Sequence, residues 1–322
     1  MRVAFTNEVL PCERTAAAND GCERALDGPP NQRATMTRID AHQHYWKLAR
    51  GDYGWLRPEA GALYRDYLPA DLESALSDCS IAGTVLVQAA PSEAETCFML
   101  DLARRHRSIL GVVGWVDFES RAAGKRIAAL KAQGDGLLKG LRPMVQDIED
   151  AAWLARESLD AAFEALIEAE LVFDALVTPL HLGVLEQRLA RHPDLGCVVD
   201  HGGKPSIGAA PLDTWAAHMK RIATGSSAFC KLSGLVTQCN TTATLDALDP
   251  YASRLFEYFG PDRIVWGSDW PVLNLRMSYR EWLEMAIELV QRHAPGASEA
   301  VFSRNARRLY GLDRATPEDE SA

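Results

Sequence analysis

Two histidines one residue apart are the first candidates for chemistry in this sequence. His42 and His44 follow the short apolar stretch 39–41. Because side chains alternate along a strand, both imidazoles would point the same way from its end. Two imidazoles a few ångströms apart can share a metal ion or contact one substrate oxygen. The pair alone is a weak signal, since two histidines in a surface loop would give the same pattern.

Two further polar groups follow apolar stretches later in the chain. His201 stands in Asp-His-Gly-Gly after the stretch 196–199, and Asp269 stands in Gly-Ser-Asp-Trp after the stretch 263–266. Glycines beside an imidazole leave room for close approach of a backbone. A loop contact for His201 and a helix N-cap for Asp269 are the structural alternatives. Four groups of these kinds at three strand ends favour a joint site over coincidence.

The elements that would position these groups alternate along the chain from residue 37 on. Eight strand-like stretches are rich in Val, Ile and Leu, as is typical of strands buried on both faces, and they cover 38–41, 83–88, 110–115, 137–141, 171–176, 196–200, 229–232 and 263–266. Amphipathic stretches between them include 69–80, 91–106, 159–170, 181–191 and 212–223. This alternation predicts an α/β fold, a (β/α)₈ TIM barrel with its site at the C-terminal strand ends. A doubly wound open sheet is the alternative, but no GxGxxG motif follows any strand.

The 322 residues are enough for one large α/β domain or two small ones. We predict a disordered N-terminal extension over residues 1–36, the barrel over 37–312 and a polar C-terminal tail over 313–322. The extension shows no lasting hydrophobic period and lacks the apolar region of a signal peptide.

Composition argues against several classes of partner. The net charge of −10 disfavours a nucleic-acid partner. No apolar run approaches the ~18–20 residues of a membrane span, so we expect no membrane association. The seven cysteines are scattered without a CxxC pair, which indicates free thiols and a cytoplasmic location. Of these, Cys197 and Cys230 are expected in the core.

The strand-end strings carry a resemblance to a known family. RIDAHQHYW, GLRP, VVDHGGKP and WGSDWPV together resemble the amidohydrolase superfamily of TIM-barrel hydrolases. They are similar to its sugar-lactonase branch, which contains L-fuconolactonases and L-rhamnono-lactonases and is related to a pyrone dicarboxylate lactonase. The likeness covers residues 37–312. It implies a carboxylic ester hydrolase that opens a small sugar lactone, such as an L-fuconolactone-like aldonolactone, to the aldonic acid.

The resemblance also implies roles for individual residues. Asp269 would be the general base for the attacking water, and His201 and Arg142 would be catalytic beside it. The substrate would be contacted by side chains near other strand ends, namely His42, His44, Trp46, Trp115 and Lys204. The two tryptophans are equally compatible with packing in the core.

One departure from the family pattern limits the number of metal ions. Binuclear members carry a carboxylated lysine at the end of the fourth strand, where this sequence has Arg142. Many members also place a histidine after the fifth strand, where this sequence offers Asp174. A two-metal site is therefore not expected. One Zn²⁺ held by His42, His44 and Asp269, or no metal at all, fits the pattern.

Three rival functions remain open at this point. Within the superfamily, they are a decarboxylase with a similar His and Asp set and a dicarboxylate lactonase. From another class, a non-catalytic metal-binding barrel is compatible with the same residues. An acidic substrate would need several arginines in the barrel mouth, and only Arg142 is placed at a strand end. This favours a neutral, hydroxyl-rich lactone. The sequence does not indicate the oligomeric state.

Overall fold

The structure, a computed structural model, describes residues 37–312. Eight parallel strands in this range form one sheet in chain order. They are Arg38–Gln43 (β1), Ile81–Val87 (β2), Ile109–Gly114 (β3), Leu138–Leu141 (β4), Val172–Ala175 (β5), Cys197–Val199 (β6), Phe229–Leu232 (β7) and Ile264–Trp266 (β8). Each strand pairs in parallel with the next, from β1 through to β8.

Helices connect consecutive strands. In the described part of the chain they are Pro69–Asp78 (α1), Glu93–Arg105 (α2), Ala123–Gly134 (α3), Asp160–Glu168 (α4), Leu182–Arg191 (α5), Leu212–Gly225 (α6), Leu245–Phe259 (α7), Tyr279–His293 (α8) and Asn305–Tyr310 (α9). Their apolar residues recur at helical spacing, as in α5, where Leu182, Leu185 and Leu189 are buried. Such a stripe packs on the strands and leaves the opposite face to solvent.

The interior of the barrel below the site is filled mainly by small branched side chains. Val85, Val87 and Val113 belong to one buried cluster with Ile39, Ala41, Val172, Val198 and Val265. Tyr310 from α9 and Leu312 belong to the same cluster. Because Val and Ile are stiff at χ1, they pack well on neighbouring strands in such an interior.

Backbone hydrogen bonds between residues just after β8 and residues at the end of β1 join these two strands. The N–H of His44 donates to the carbonyl of Trp270, and the N–H of Asp269 donates to the carbonyl of His42, both at 2.8 Å. A bridge between Gln43 and Trp270 lies at the same joint. Gly267 permits this approach, because a Cβ there would lie 2.6 Å from the Cβ of His42.

The predicted barrel is confirmed, and the doubly wound sheet is excluded by the strand order. All eight predicted strands exist, with ends that differ by a few residues. The predicted extension 1–36 and tail 313–322 lie outside the described residues. Cys197 and Cys230 are buried as expected. His192 is buried, and its imidazole is stacked on the ring of Phe163.

Over the described residues, no helix combines the length and apolarity that crossing a membrane requires.

Candidate active site

The two histidines of β1 do point together into the barrel mouth. The Nε2 atoms of His42 and His44 are 3.1 Å apart, and both side chains are buried. The Nδ1 atom of His44 lies 2.8 Å from the carbonyl oxygen of Val87. A carbonyl can only accept, so Nδ1 of His44 carries the proton when the ring is neutral, and its Nε2 lone pair faces the site.

His201 reaches the mouth from a strained turn after β6. The turn spans Asp200–Gly203, and His201 has a left-handed backbone with a φ of 53°. Its Nδ1 atom lies 3.0 Å from the hydroxyl of Ser233. A Cβ at Gly234 would lie 2.4 Å from this Nδ1, so only glycine leaves the ring its place.

Asp269 lies among these three imidazoles. Its Oδ1 atom is 3.3 Å from Nε2 of His44, 3.7 Å from Nε2 of His42 and 3.9 Å from Nε2 of His201. Asp269 also has a left-handed backbone, with a φ of 60°, which aims its side chain back over the barrel. It is not a helix N-cap, because α8 begins ten residues later at Tyr279 with Ser278 as its N-cap.

Burial and neighbouring groups determine which side chains of the site are charged. Burial works against ionisation of Asp269, but the electrostatic effect of His201 and the hydrogen bond to His44 outweigh it and hold the pKa of the carboxyl well below its usual range. Burial lowers the pKa of His201 to about 4 and that of His42 well below its usual value. At neutral pH the site therefore combines an ionised Asp269 with neutral His42 and His201.

Arg142 and Lys204 bring positive charge to the same place. Arg142, after β4, is buried, and its NH1 lies 3.3 Å from Oδ2 of Asp200 and 3.5 Å from Nε2 of His42. Its other terminal nitrogen donates to the carbonyl of Gln88. Lys204 donates to the side-chain oxygen of Gln146 at 2.5 Å, and burial lowers the pKa of its ammonium group.

A buried ionic cluster beneath these residues was not predicted. The ammonium of Lys231 in β7 lies 2.5 Å from Oδ2 of Asp174, 3.0 Å from Oδ1 of Asp200 and 3.1 Å from Nδ1 of His42. Tyr310 donates to Asp174 from below at 2.8 Å. Burial raises the pKa of Asp174 to about 6, while Lys231 holds the pKa of Asp200 well below its usual range.

The sequence did contain a signal for this cluster. A strand buried on both faces leaves a lysine no route to water, so Lys231 had to find a buried acid. Asp40 in β1 is a further buried acid that was not predicted. It accepts from the N–H groups of His42 and Ser268 and from the hydroxyl of Tyr279 at 3.1, 2.8 and 2.9 Å, and so supports the turn around Asp269.

The catalytic candidates open on a cavity of about 240 Å³. Among the predicted site residues, those that line it are His44, Trp46, Arg142, His201, Lys204 and Asp269. His42 lies behind this lining and is fully buried. Trp46 is also fully buried, with its indole N–H donating to the carbonyl of Arg65. Trp115 lines a neighbouring cavity instead.

The donor set fits one divalent metal ion. The triangle between Nε2 of His42, Nε2 of His44 and Oδ1 of Asp269 has edges of 3.1, 3.7 and 3.3 Å. Tetrahedral Zn²⁺ with bonds of about 2.0–2.1 Å separates its ligand atoms by about 3.3–3.4 Å. Nε2 of His42 binds a metal only in the tautomer with its proton on Nδ1, and this Nδ1 lies 3.6 Å from Oδ1 of Asp200 and 3.1 Å from the ammonium of Lys231.

A second candidate group shares one residue with the first. His42, Asp200 and His201 also bring their ligand atoms within 4.8 Å of one another. However, the cations Lys231 and Arg142 already lie 3.0 and 3.3 Å from the carboxylate of Asp200. Because cations beside a carboxylate oppose binding of a further one, the group with Asp269 is better suited to a metal.

Comparison with known proteins connects this geometry to characterised relatives. A family model described as Amidohydrolase matches residues 39–312. The chain is 39% identical over 281 residues to L-fucono-1,5-lactonase of Burkholderia ambifaria, which covers 86% of this chain and 96% of that protein. It is 32% identical over 293 residues to L-fucono-1,5-lactonase of Burkholderia multivorans, at 85% and 96% coverage.

A solved structure is similar over the same region. An amidohydrolase from Burkholderia multivorans with bound Zn is 31% identical in sequence and superimposes with a TM-score of 0.80. The match covers 86% of this chain and 100% of that chain.

Proposed function

Because the chain belongs to the amidohydrolase family, we propose that it is a lactonase that opens an L-fucono-1,5-lactone-like aldonolactone to the aldonic acid. Relatives of 39% and 32% identity over most of the chain bear the name L-fucono-1,5-lactonase. The observation that carries the proposal is the position of Asp269, ionised among three imidazoles at the floor of a small cavity. A decarboxylase and a non-catalytic barrel are not favoured by these relatives.

The reaction is hydrolysis of an activated ester. Asp269 takes a proton from water as the water oxygen bonds to the lactone carbonyl carbon. The bond from this carbon to the ring oxygen then breaks, and Asp269 returns the proton to the leaving alkoxide. The carboxylic acid so formed loses its own proton to solvent. Because His42 and His201 are neutral at neutral pH, no imidazolium neutralises the carboxylate of Asp269.

Arg142 and Lys204 stabilise the negative charge that develops on the carbonyl oxygen. Both line the cavity, and both are fixed by bonds to neighbours, Arg142 to the carbonyl of Gln88 and Lys204 to the side chain of Gln146. Donors held in place before the reaction need no reorganisation when charge appears. The Nε of Arg142 is buried and has no hydrogen-bond partner among the described residues.

The lining favours a neutral lactone over a dicarboxylate. Arg142 and Lys204 are its only arginine and lysine among the described residues, and Asp147 and Asp269 balance their charge. Gln146, Thr237 and Gln238 add amide and hydroxyl groups that suit sugar hydroxyls. Buried hydrogen bonds to hydroxyls also allow discrimination between epimers by orders of magnitude.

We propose that the site binds at most one metal ion. His42, His44 and Asp269 would hold it. A bound divalent ion would supply Lewis-acid polarisation of the lactone carbonyl. A bridging lysine from β4 is not available, because Arg142 follows that strand directly and Lys139 donates to the carbonyl of Gly311 at 2.6 Å, on the side of the barrel away from the site.

Calorimetric titration of Zn²⁺ into chelator-treated protein tests the metal assignment without an activity measurement. We expect no more than one equivalent at the site and much weaker binding in His44→Ala. Two equivalents that both depend on His44 would contradict the proposal.

A cytoplasmic location also stays part of the proposal, supported by the free thiols of the cysteines in the described range.

A substrate panel tests the function itself. Fucono-, rhamnono-, galactono- and arabinonolactones are compared with a pyrone dicarboxylate and an acidic aromatic acid in a pH-indicator assay. Lactone opening releases acid and decarboxylation consumes it, so the sign of the change separates the two reactions. We expect fastest acid release from a 6-deoxy sugar lactone. Faster opening of the dicarboxylate than of every sugar lactone would overturn the substrate assignment, and no turnover of any compound would leave a binding protein.

A further inference from the structure

A second cavity of about 530 Å³ opens beside the catalytic one. We call it the outer cavity. Loops that follow β1, β3 and β4 form most of its wall, with Trp55, Trp115 and Trp153 among the lining residues. Trp55, Met144 and Asp147 line both cavities, so they form the boundary between the two. A ligand bound over Asp269 could therefore extend past this boundary into the outer cavity.

Four aromatic side chains form part of the wall of the outer cavity, namely Trp55, Trp115, Phe118 and Trp153. Trp55 is 41% exposed, and its indole N–H donates to the carbonyl of Ala89 at 2.7 Å, which fixes the ring at the boundary. Phe118 packs between Trp153 and Phe163, with ring centroids 6.4 and 5.3 Å away. Rigid aromatic faces of this kind bind flat apolar surfaces with little loss of conformational entropy.

The charged residues that line the outer cavity within the described range are all acidic. Its lining includes four acids, Asp52, Asp117, Glu119 and Asp147, and no lysine or arginine among the described residues. Arg50 and Arg156 neutralise Asp52 and Glu119 from outside the lining, each at 2.5 Å.

The other two acids keep acceptor capacity for a ligand. Asp117 is exposed, and its Oδ1 accepts from the N–H of Glu119 at 2.9 Å. Asp147, also exposed, has a longer contact of 3.4 Å with the side-chain amide of Gln146. Each carboxylate accepts up to about four hydrogen bonds, so both can still receive hydroxyl donors.

We propose that the outer cavity binds a neutral glycosyl substituent on the lactone, so that the substrates include lactones of short oligosaccharides. This deepens the proposed function and rests on it. One face of a pyranose presents C–H groups that pack on an indole, while its rim presents hydroxyls that donate to carboxylates. The outer cavity offers both kinds of partner, Trp115 for the face and Asp117 and Asp147 for the rim.

Other substituents fit this wall less well. A carboxylate or phosphate group would be repelled by the carboxylates of Asp117 and Asp147. A plain aryl or alkyl group would use the aromatic wall but would take water from Asp117 and Asp147 without replacing its hydrogen bonds, which is unfavourable. The catalytic cavity of about 240 Å³ accommodates the lactone ring and leaves the larger outer cavity for the substituent.

The test compares kcat/KM for three classes of lactone. One is the unsubstituted aldonolactone, the second is a set of disaccharide-derived lactones that differ in linkage position, and the third carries an uncharged aryl group of similar size. For at least one linkage, we expect the wild-type protein to open the glycosylated lactone at least as efficiently as the unsubstituted one. The aryl compound should be poorer than that glycosylated lactone.

Two variants assign such a preference to the outer cavity. Trp115→Ala and Asp117→Ala should each lower the ratio of glycosylated to unsubstituted kcat/KM about tenfold, the loss of one good contact. Tyr64→Ala, which removes an exposed aromatic ring outside both linings, should leave the ratio unchanged.

The failures are distinguishable. Rejection of every glycosylated lactone while the unsubstituted one is opened overturns this inference alone, as does a preference for the aryl compound or an unchanged ratio in both variants. Absence of turnover with any lactone overturns the proposed function and the inference with it.

Discussion

At the scale of single residues, the site separates one ionised acid from neutral bases. The imidazoles hold the pKa of Asp269 well below its usual range, and burial keeps His42 and His201 neutral. A carboxylate with so low a pKa is a weak base in water. In the proposed mechanism its contribution must therefore come from placement, because a water held at hydrogen-bond distance from the base reacts within the complex.

Replacement of Asp269 by asparagine should reduce turnover strongly. We expect Asp269→Asn to lower kcat by ~10²–10⁴, the usual contribution of a general base, while the folded structure is retained. Steady-state kinetics and circular dichroism on the same preparation check both parts. Asp213→Asn, an exposed acid on α6, is the matched control and should behave as wild type. Near-normal turnover of the Asp269 variant would show that this residue is structural.

The dependence of activity on pH follows from the same pKa shifts. Asp269 must be ionised to act, and because its pKa is lowered, the ionised form persists as the pH falls. His201 becomes protonated only near its pKa of about 4. We therefore expect kcat/KM to stay level from pH 8 down to about pH 5 and to fall below that. Chromatographic measurement of the acid product checks this, and a half-maximal rate at pH 6 or above would contradict it.

The sequence identified the residues at strand ends but missed the ones beneath them. His42, His44, His201 and Asp269 follow recognisable apolar stretches, so their positions at strand ends of the predicted barrel were enough to bring them together. Lys231 lies in the middle of a strand, and its partners come from three other strands. Which strands bring their side chains together inside a barrel depends on how the sheet closes, and no local sequence pattern predicts this.

At the scale of elements, the turns after β6 and β8 orient His201 and Asp269, the proposed catalytic groups. His201 and Asp269 both have positive φ values, an arrangement that costs on the order of 1 kcal/mol for a residue with a side chain. The sequence shows glycines near both residues but does not show which residue takes the left-handed conformation. Tertiary contacts decide this, as the close approach of Gly234 to the ring of His201 shows.

Substitution of Gly267 tests whether the site requires β8 to lie close to β1. In Gly267→Ala the new methyl group would lie 2.6 Å from Cβ and 2.9 Å from the backbone nitrogen of His42, so β1 has to move. We expect a loss of about 1–3 kcal/mol in the free energy of unfolding and a lower kcat/KM. Gly196→Ala is the matched control, since a Cβ there meets nothing within 4 Å. Equal stability and activity of the two variants would refute this account of Gly267.

At the scale of the whole molecule, one buried cation connects four strands. Lys231 from β7 contacts Asp174 from β5, Asp200 after β6 and His42 from β1. Each carboxylate would be costly to bury alone. The alternation of elements predicted the barrel, but this polar interior was not predictable from alternation, because in such strands charged residues are exceptions to the apolar pattern.

Removal of this cation should destabilise the barrel as a whole. We expect Lys231→Met to lower the free energy of unfolding by about 3–5 kcal/mol, because Asp174 and Asp200 lose the cation that they share. Adding Asp174→Asn to it should recover part of the loss, since one buried charge then disappears. Denaturant unfolding of the single and double variants measures both effects, with the exposed Lys125→Met as control. A Lys231→Met protein as stable as wild type would show that the cluster contributes nothing to folding.

The joint between β8 and β1 has a consequence for how the enzyme loses activity. The backbone groups that close the barrel there belong to His42, His44, Asp269 and Trp270, so three of the proposed site residues also take part in its closure. A local opening of this joint would separate Asp269 from both histidines of β1 while the other strand pairs stay intact. Catalytic activity is thus sensitive to local opening of this joint. On heating, we expect the enzyme to lose activity at a lower temperature than the one at which its core unfolds.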